Sequence, residues 1–245
     1  MDEAVRIAMW SGPRNISTAM MRSFGNRPDC AVTDEPLYAC YLAGSGSPHP
    51  MREEVLASQS QDWREVTAWL TGPVPGQQPV WYQKHMTHHL LDDMGRDWLD
   101  AVTNCFLIRD PRGVVASYAR KRDETVTPED VGMLQQARIF DEVVARNGGR
   151  VPPVIDAADV LADPATTLTR LCMAVGIDFD PAMLAWPPGR RETDGVWAAH
   201  WYEAVEQSTG FAEPTPSPGP LAPELEAVAE ASRPAYERLR EHALR

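Results

Sequence analysis

Two short stretches of this chain carry residues whose types and spacing suit chemistry on an anion. The first is WSGPRNISTAMMRSF, Trp10 to Phe24. Gly12 lets the backbone turn and approach a ligand closely. Arg14 adds a fixed charge with forked donors, and Ser17 and Thr18 add hydroxyls. A loop of this kind before a helix exposes backbone N–H groups that favour an anion. The Gly-Lys-Ser/Thr ending of an ATP loop is missing. With it go the lysine that reaches the β- and γ-phosphates and the hydroxyl that holds Mg²⁺. No acidic strand end stands out as a second magnesium ligand.

The second stretch is LIRDPRGVVASYAR, Leu107 to Arg120. It places Arg109 at the end of an apolar segment and Ser117 eight residues later, two turns into a helix. The two converge on one anion if they sit at the carboxyl edge of a parallel sheet, where ligands bind in open α/β folds.

The elements that must position these residues alternate between strand and helix. VRIAMW reads as a buried first strand and residues 16–25 as the first helix. CAVTDEPLY is a second strand ending at Asp34-Glu35-Pro36, and PVWYQKHM is a third. Residues 51–71, with spaced Val55, Leu56, Val66, Trp69 and Leu70, read as helical. VTNCFLIRDP is the most apolar strand, with Asp110 capping a helix that starts at Pro111. Thr127-Pro128-Glu129-Asp130 opens the next helix in capping-box style, and Asn147-Gly148 ends it. VPPVIDA is a fifth strand; Asp163-Pro164 opens a helix that Gly176 closes. A Pro-rich loop spans residues 212–223, and the charged C-terminal helical segment is expected to break near Ser232-Arg233-Pro234. The pattern implies a mostly parallel sheet covered on both faces, in a single domain over residues 1–245.

These residues resemble the sulfotransferases that use 3′-phosphoadenosine 5′-phosphosulfate. SGPRNIST looks like their 5′-phosphosulfate loop, which implies that Gly12, Pro13, Arg14, Asn15, Ile16, Ser17 and Thr18 hold the donor's 5′ end. RDPRGVVASY looks like their 3′-phosphate motif, with the family's arginine and serine at Arg109 and Ser117. PPGRRETDGVW lies where the family has a basic loop over the 3′-phosphate, which nominates Arg190 and Arg191. The resemblance implies a P-loop-like three-layer fold, 3′,5′-ADP as product and no metal. A 5′-phosphosulfate carries less charge than a triphosphate and suits a loop without the metal clamp.

Sulfuryl transfer is an in-line displacement that rests on positioning and charge stabilisation. Arg14 and the loop amides serve the leaving phosphate, and Lys84 reaches the bridging oxygen or sulfonate. The cytosolic small-molecule enzymes carry a Lys-x-His strand end; here Lys84-His85-Met86 puts the histidine one place early. The general base is therefore Glu35 or one of His85, His88 and His89. DEPLYACY resembles the segment that supplies a glutamate base in the heparan-type enzymes, which favours Glu35. His85 neighbours Lys84 and, in a regular strand, points to the opposite face. The family resemblance implies Lys84, Glu35 and His85 as the catalytic set to examine. Trp81, Trp98, Trp186, Trp197 and Trp201 either pack the core or line a pocket. Residues 38–60, 120–130 and 186–211 are expected to shape the acceptor pocket.

Composition bounds the rest. The chain has 245 residues, 43% hydrophobic, enough for a packed α/β core. Its net charge of −12 argues against nucleic acid and anionic membrane as partners, so an anionic ligand needs a local basic pocket. Cys30, Cys40, Cys105 and Cys172 form no CxxC pair and read as reduced packing residues of a cytoplasmic protein. No leader or membrane span is expected, and the acceptor is expected to be a small molecule bearing a hydroxyl or, second, an amine. Two rivals remain: an ATP-dependent P-loop kinase, and a non-catalytic nucleotide-binding protein on the same frame.

Overall fold

A computed structural model describes residues 4–119, 126–214 and 218–245. Strands β1 (Val5–Ser11), β2 (Cys30–Asp34), β3 (Val80–Met86), β4 (Thr103–Ile108) and β5 (Val154–Asp156) form one sheet in the order β2-β3-β1-β4-β5. Every pairing is parallel. Between and after the strands run α1 (Ser17–Gly25), α2 (Tyr38–Ser45), α3 (Arg52–Ser58), α4 (Trp63–Leu70), α5 (Pro111–Ala119) and α6 (Pro128–Val131). They are followed by α7 (Met133–Arg146), α8 (Ala157–Ala162), α9 (Pro164–Val175), α10 (Ala198–Trp201), α11 (Glu203–Glu206) and α12 (Pro223–Arg240).

The period-2 alternation of the strands divides the core into two layers. Ile7 and Met9 of β1 pack with Met20, Met21 and Phe24 of α1 and Leu168 and Leu171 of α9. Ala8 and Trp10 face the other way, toward Val114 and Val115 of α5, Phe140 and Val143 of α7 and Leu239 of α12. Because both faces are covered, the strands read as near-continuous apolar runs. The result is the expected P-loop-like α/β fold with three layers.

Three helical expectations change. Residues 51–71 form two helices, because Gln59 is extended and Asp62 starts afresh, its side chain accepting from the Arg64 N–H at 2.9 Å. The helix opened by the Thr127 capping box ends after one turn: Gly132 adopts φ 72° and α7 begins beyond it. The C-terminal helix does not break. α12 runs through Pro234, since Val228, Ala229, Ser232 and Leu239 are all buried, the helix packing chiefly on α5 and α7. That packing outweighs the roughly 3 kcal/mol a helical proline costs. Cys40, Cys105 and Cys172 are buried, Cys30 is half-buried and all four are free. Of the segments expected to shape the acceptor pocket and the Pro-rich loop, residues 120–125 and 215–217 lie outside the described residues. Among the described residues no helix is long and apolar enough to cross a membrane.

Candidate active site

The carboxyl ends of β1, β2, β3 and β4 open into a cavity of about 340 Å³. The loop after β1 forms part of its wall through Pro13, Arg14, Asn15 and Ile16, and α1 contributes Ser17 and Thr18. Arg14 and Ile16 hold left-handed backbone at φ 61° and 56°, which curls the loop over the start of α1. Ile16, at that helix start, supplies no side-chain cap. Arg14 donates from Nε to the Ser117 hydroxyl at 3.1 Å, and Arg109 donates to the Arg14 carbonyl at 2.7 Å. The two stretches singled out in the sequence are thus bonded to each other and line one cavity. Asn15 donates to the Leu107 carbonyl at 3.3 Å and ties the loop to β4.

Lys84 lies at the end of β3, 1% exposed, and is bonded three ways. Its ammonium donates to Glu35 Oε1 at 2.6 Å, to Asp34 Oδ1 at 2.9 Å and to the Tyr202 hydroxyl at 2.5 Å. The Lys84 ammonium is desolvated, which works against its charge, but Asp34 and Glu35 outweigh this and hold its pKa well above the usual lysine value. Glu35 follows β2 in the left-handed region at φ 39°, an uncommon conformation for a non-glycine residue. Its N–H donates to the Lys84 carbonyl and its own carbonyl accepts from Gln59, so both sides of the residue are pinned. Burial raises the Glu35 carboxyl pKa; Lys84 opposes that and Asp34 adds to it.

Among described residues, the rest of the cavity near this pair is aromatic and imidazole-rich: Tyr38, His49, His88, His89, Trp201 and Tyr202. His89 stacks between Tyr38 at 4.4 Å and Tyr41 at 5.0 Å. Its Nδ1 lies 3.9 Å from Glu35 Oε2. Burial, and then the neighbouring His88, push the His89 pKa well below the usual value, so the ring is neutral.

Several nominated residues stand elsewhere. His85 points to the opposite face of β3, stacked on Trp10 at 4.6 Å and beside Trp98 at 5.5 Å. Burial pushes its pKa down to about 3, and it does not line the cavity. Gly12 does not reach the cavity either. A Cβ there would meet the Val131 carbonyl oxygen at 2.4 Å, so the close approach is to the α6 backbone and not to a ligand. Arg190 is exposed; Arg191 turns its guanidinium onto the carbonyls of Pro187 and Gly189. Neither arginine lines the cavity. Trp201 does, Trp197 packs behind Tyr202, and Trp81, Trp98 and Trp186 are packed away from it. The sequence marks Asp34 only as a strand end and does not single out Tyr38, His49 and Tyr202, although they lie in the segments 38–60 and 186–211 expected to shape the acceptor pocket. Asp34 had a signal: it stands beside Glu35 and pairs in register with Lys84 across the sheet.

A sulfotransferase domain matches residues 5–243 of this chain. The chain belongs to the sulfotransferase family. The solved structures similar to it include a sulfotransferase from Alicyclobacillus acidocaldarius, with a TM-score of 0.55 and 12% identity over 97% of this chain and 94% of that one. Another is the sulfotransferase domain from the curacin biosynthetic pathway, with a TM-score of 0.53 and 17% identity over 93% of this chain and 97% of that one. At these identities the likeness is one of fold. Two Arabidopsis thaliana proteins are closer in sequence. Branched-chain-amino-acid aminotransferase-like protein 1 is 34% identical over 99% of this chain and 43% of its own length. Branched-chain-amino-acid aminotransferase-like protein 2 is 32% identical over 86% of this chain and 37% of its own length. The chain thus spans about two fifths of the length of these curated relatives.

For a sulfotransferase the arrangement has a plain chemical use. Arg14, Arg109 and Lys84 bring positive charge to one cavity in a chain of net charge −12. A cation and a carboxylate meet at Lys84 and Glu35, where the field of an ammonium can favour an anion and a carboxylate can take a proton.

Proposed function

We propose that this chain transfers the sulfuryl group of 3′-phosphoadenosine 5′-phosphosulfate to a hydroxyl of a small molecule by in-line displacement. The observation that carries the reading is the contact of Glu35 with Lys84 at 2.6 Å, in the same cavity as the bonded Arg14, Ser117 and Arg109. The loop residues from Pro13 to Thr18 serve the 5′ end of the donor. Arg109 and Ser117 serve its 3′-phosphate. Lys84, its three protons bonded to Glu35, Asp34 and Tyr202, stabilises charge on the sulfonate and the bridging oxygen through the field of its ammonium. Glu35 takes the acceptor's proton as the new O–S bond forms and the bond from sulfur to the 5′-phosphate oxygen breaks. His85, on the far face of β3, has no part in this reading.

The test is calorimetry with 3′,5′-ADP and AMP, followed by an acceptor screen with sulfur-labelled donor. Losing a charged, hydrogen-bonded contact costs about 1.5–3 kcal/mol, so 3′,5′-ADP is expected to bind roughly ten- to a hundredfold better than AMP. Equal affinity removes the 3′-phosphate assignment. Binding of 3′,5′-ADP without transfer to any of a broad set of hydroxyl and amine acceptors favours a binding protein over an enzyme.

A further inference from the structure

We propose that Asp34 and Tyr202 are positioning residues that keep Lys84 charged and in place while Glu35 changes its protonation state; this rests on the reading of Lys84 and Glu35 as the reacting pair. Lys84 has three protons to donate, and Glu35, Asp34 and Tyr202 take all three. Only one of those partners, Glu35, is asked to change charge in turnover. When the acceptor's O–H bond breaks, its proton goes to Glu35 and the carboxylate becomes neutral. A buried ammonium whose only counterion had just been neutralised would lose its compensation and give up its own proton. Asp34 prevents this. It is a second carboxylate on the same ammonium at 2.9 Å, its side chain 1% exposed.

Asp34 is itself held on all sides. The Tyr202 hydroxyl lies 2.8 Å from both of its oxygens, and the Gly195 N–H donates to Oδ2 at 3.1 Å. Trp197 Nε1 donates to the same Tyr202 hydroxyl at 3.2 Å. The segment carrying Gly195 is anchored in turn by a buried bidentate pair, Arg22 to Asp194 at 2.6 and 2.7 Å. Asp34 therefore faces no unmatched donor and stays where Lys84 needs it. Among the described residues the Glu35 side chain is hydrogen-bonded through Oε1, with Oε2 turned toward His89, so it is the partner able to accept a proton. Among the described residues the titratable groups around the pair include Asp34 from β2, Tyr82 from β3, His89 after β3 and Tyr202 after α10, with Tyr38, His49 and His88 lining the same cavity.

The charge of Asp34 raises the pKa of both members of the pair. Asp34→Asn removes that charge with little change of shape, so the titrations of Glu35 and Lys84 both move to lower pH. A merely structural side chain would scale activity without moving either titration. The experiment follows the Glu35 carboxyl by carbon-13 NMR in the full chain, its signal assigned by loss in Glu35→Gln. Asp34→Asn and Tyr202→Phe are compared with the parent, with 3′,5′-ADP affinity as the control for folding. The expected result is a Glu35 titration displaced downward in Asp34→Asn. In Tyr202→Phe, turnover of labelled donor with an acceptor found in the screen is expected to fall about 10- to 100-fold, the range that loss of positioning produces, with 3′,5′-ADP affinity held. An unmoved Glu35 titration in folded Asp34→Asn overturns the proposal, as does full turnover in Tyr202→Phe. If Asp34→Asn does not fold, Tyr202→Phe decides alone. Failure of the underlying reading looks different: Glu35→Gln and Lys84→Met would then both retain transfer.

Discussion

At the scale of single residues, the site contrasts two neighbours of Lys84. Glu35 has a raised pKa, caused first by burial, and touches the ammonium; His85 has a lowered pKa from burial and touches two tryptophans. Glu35→Gln is expected to lower turnover roughly 10²- to 10⁴-fold, the usual weight of a general base, while 3′,5′-ADP binding stays near the parent value. As the proposed base, Glu35 must be ionised to act, so the parent's turnover is expected to fall as pH drops through its raised pKa. His85→Gln is expected to keep turnover, and a dead His85→Gln that still binds 3′,5′-ADP would overturn this assignment. His85 instead affects stability. Its folded value, about 3, lies below its ordinary value near 6.5, so the unfolded chain binds a proton that the folded one does not. Its contribution is complete above about pH 6.5 and is lost as pH falls from there toward about 3. Urea midpoints measured across that window should decline in the parent and decline less in His85→Gln.

At the scale of elements, the loop after β1 depends on helices far along the chain. Gly12 abuts the Val131 carbonyl, and Gly132 abuts both Gly12 and Thr87, whose hydroxyl donates to the Gly132 carbonyl at 2.9 Å. Gln136 of α7 donates to the Trp10 and Leu107 carbonyls, 2.9 Å each, and so joins β1 to β4 directly beneath the loop. A Cβ at Gly12 must displace backbone at 2.4 Å. Gly12→Ala is therefore expected to cost about 1–3 kcal/mol of stability, as overpacking does, and to weaken 3′,5′-ADP binding by shifting the loop. Unchanged melting and unchanged affinity would show that the loop accommodates the methyl group. The segment before α10 depends likewise on Arg22 of α1, whose side chain is 3% exposed and pairs with an Asp194 side chain that is 0% exposed. Breaking such a buried pair costs about 3–5 kcal/mol, so Asp194→Ala is expected to lose that much by urea unfolding. A loss below about 1 kcal/mol, the level of a surface pair, would contradict it.

At the scale of the whole molecule, an acidic chain brings Arg14, Arg109 and Lys84 together at one sheet edge. Strand order β2-β3-β1-β4-β5 places the carboxyl ends of β2 and β3 on one side of β1 and that of β4 on the other. Glu35 and Lys84 therefore come from one flank of the loop, and Arg109 and Ser117 from the other. Asp34, the carboxylate of β2, is already bonded to Lys84, Tyr202 and the Gly195 amide, and Glu35 is bonded to Lys84. Transfer of the labelled sulfuryl group, and 3′,5′-ADP affinity, are expected to be the same with and without EDTA. A large loss on chelation would instead favour an ATP-dependent kinase.

Local chemistry made much of this readable in advance. Near-continuous apolar runs mark β1 and β4 because a strand buried on both faces has little room for polar residues. Asp163 and Gly176 mark the ends of α9 because an uncapped N-terminus and a left-handed C-terminal residue are problems solved within a few residues. The opposite facing of Lys84 and His85 follows from strand pleat alone. What needed the folded molecule lies between residues far apart. Tyr202 meets Asp34 across 168 positions, and Arg22 meets Asp194 across 172, and no local preference encodes either meeting. His89 reads as a surface residue at a helix start until Tyr38 and Tyr41 close over it. Pro234 reads as a helix break until the buried face of α12 outweighs it. Backbone preferences and pleat act over a few residues and survive in the linear text. Burial and counterion placement depend on which distant surfaces meet, and only packing decides that.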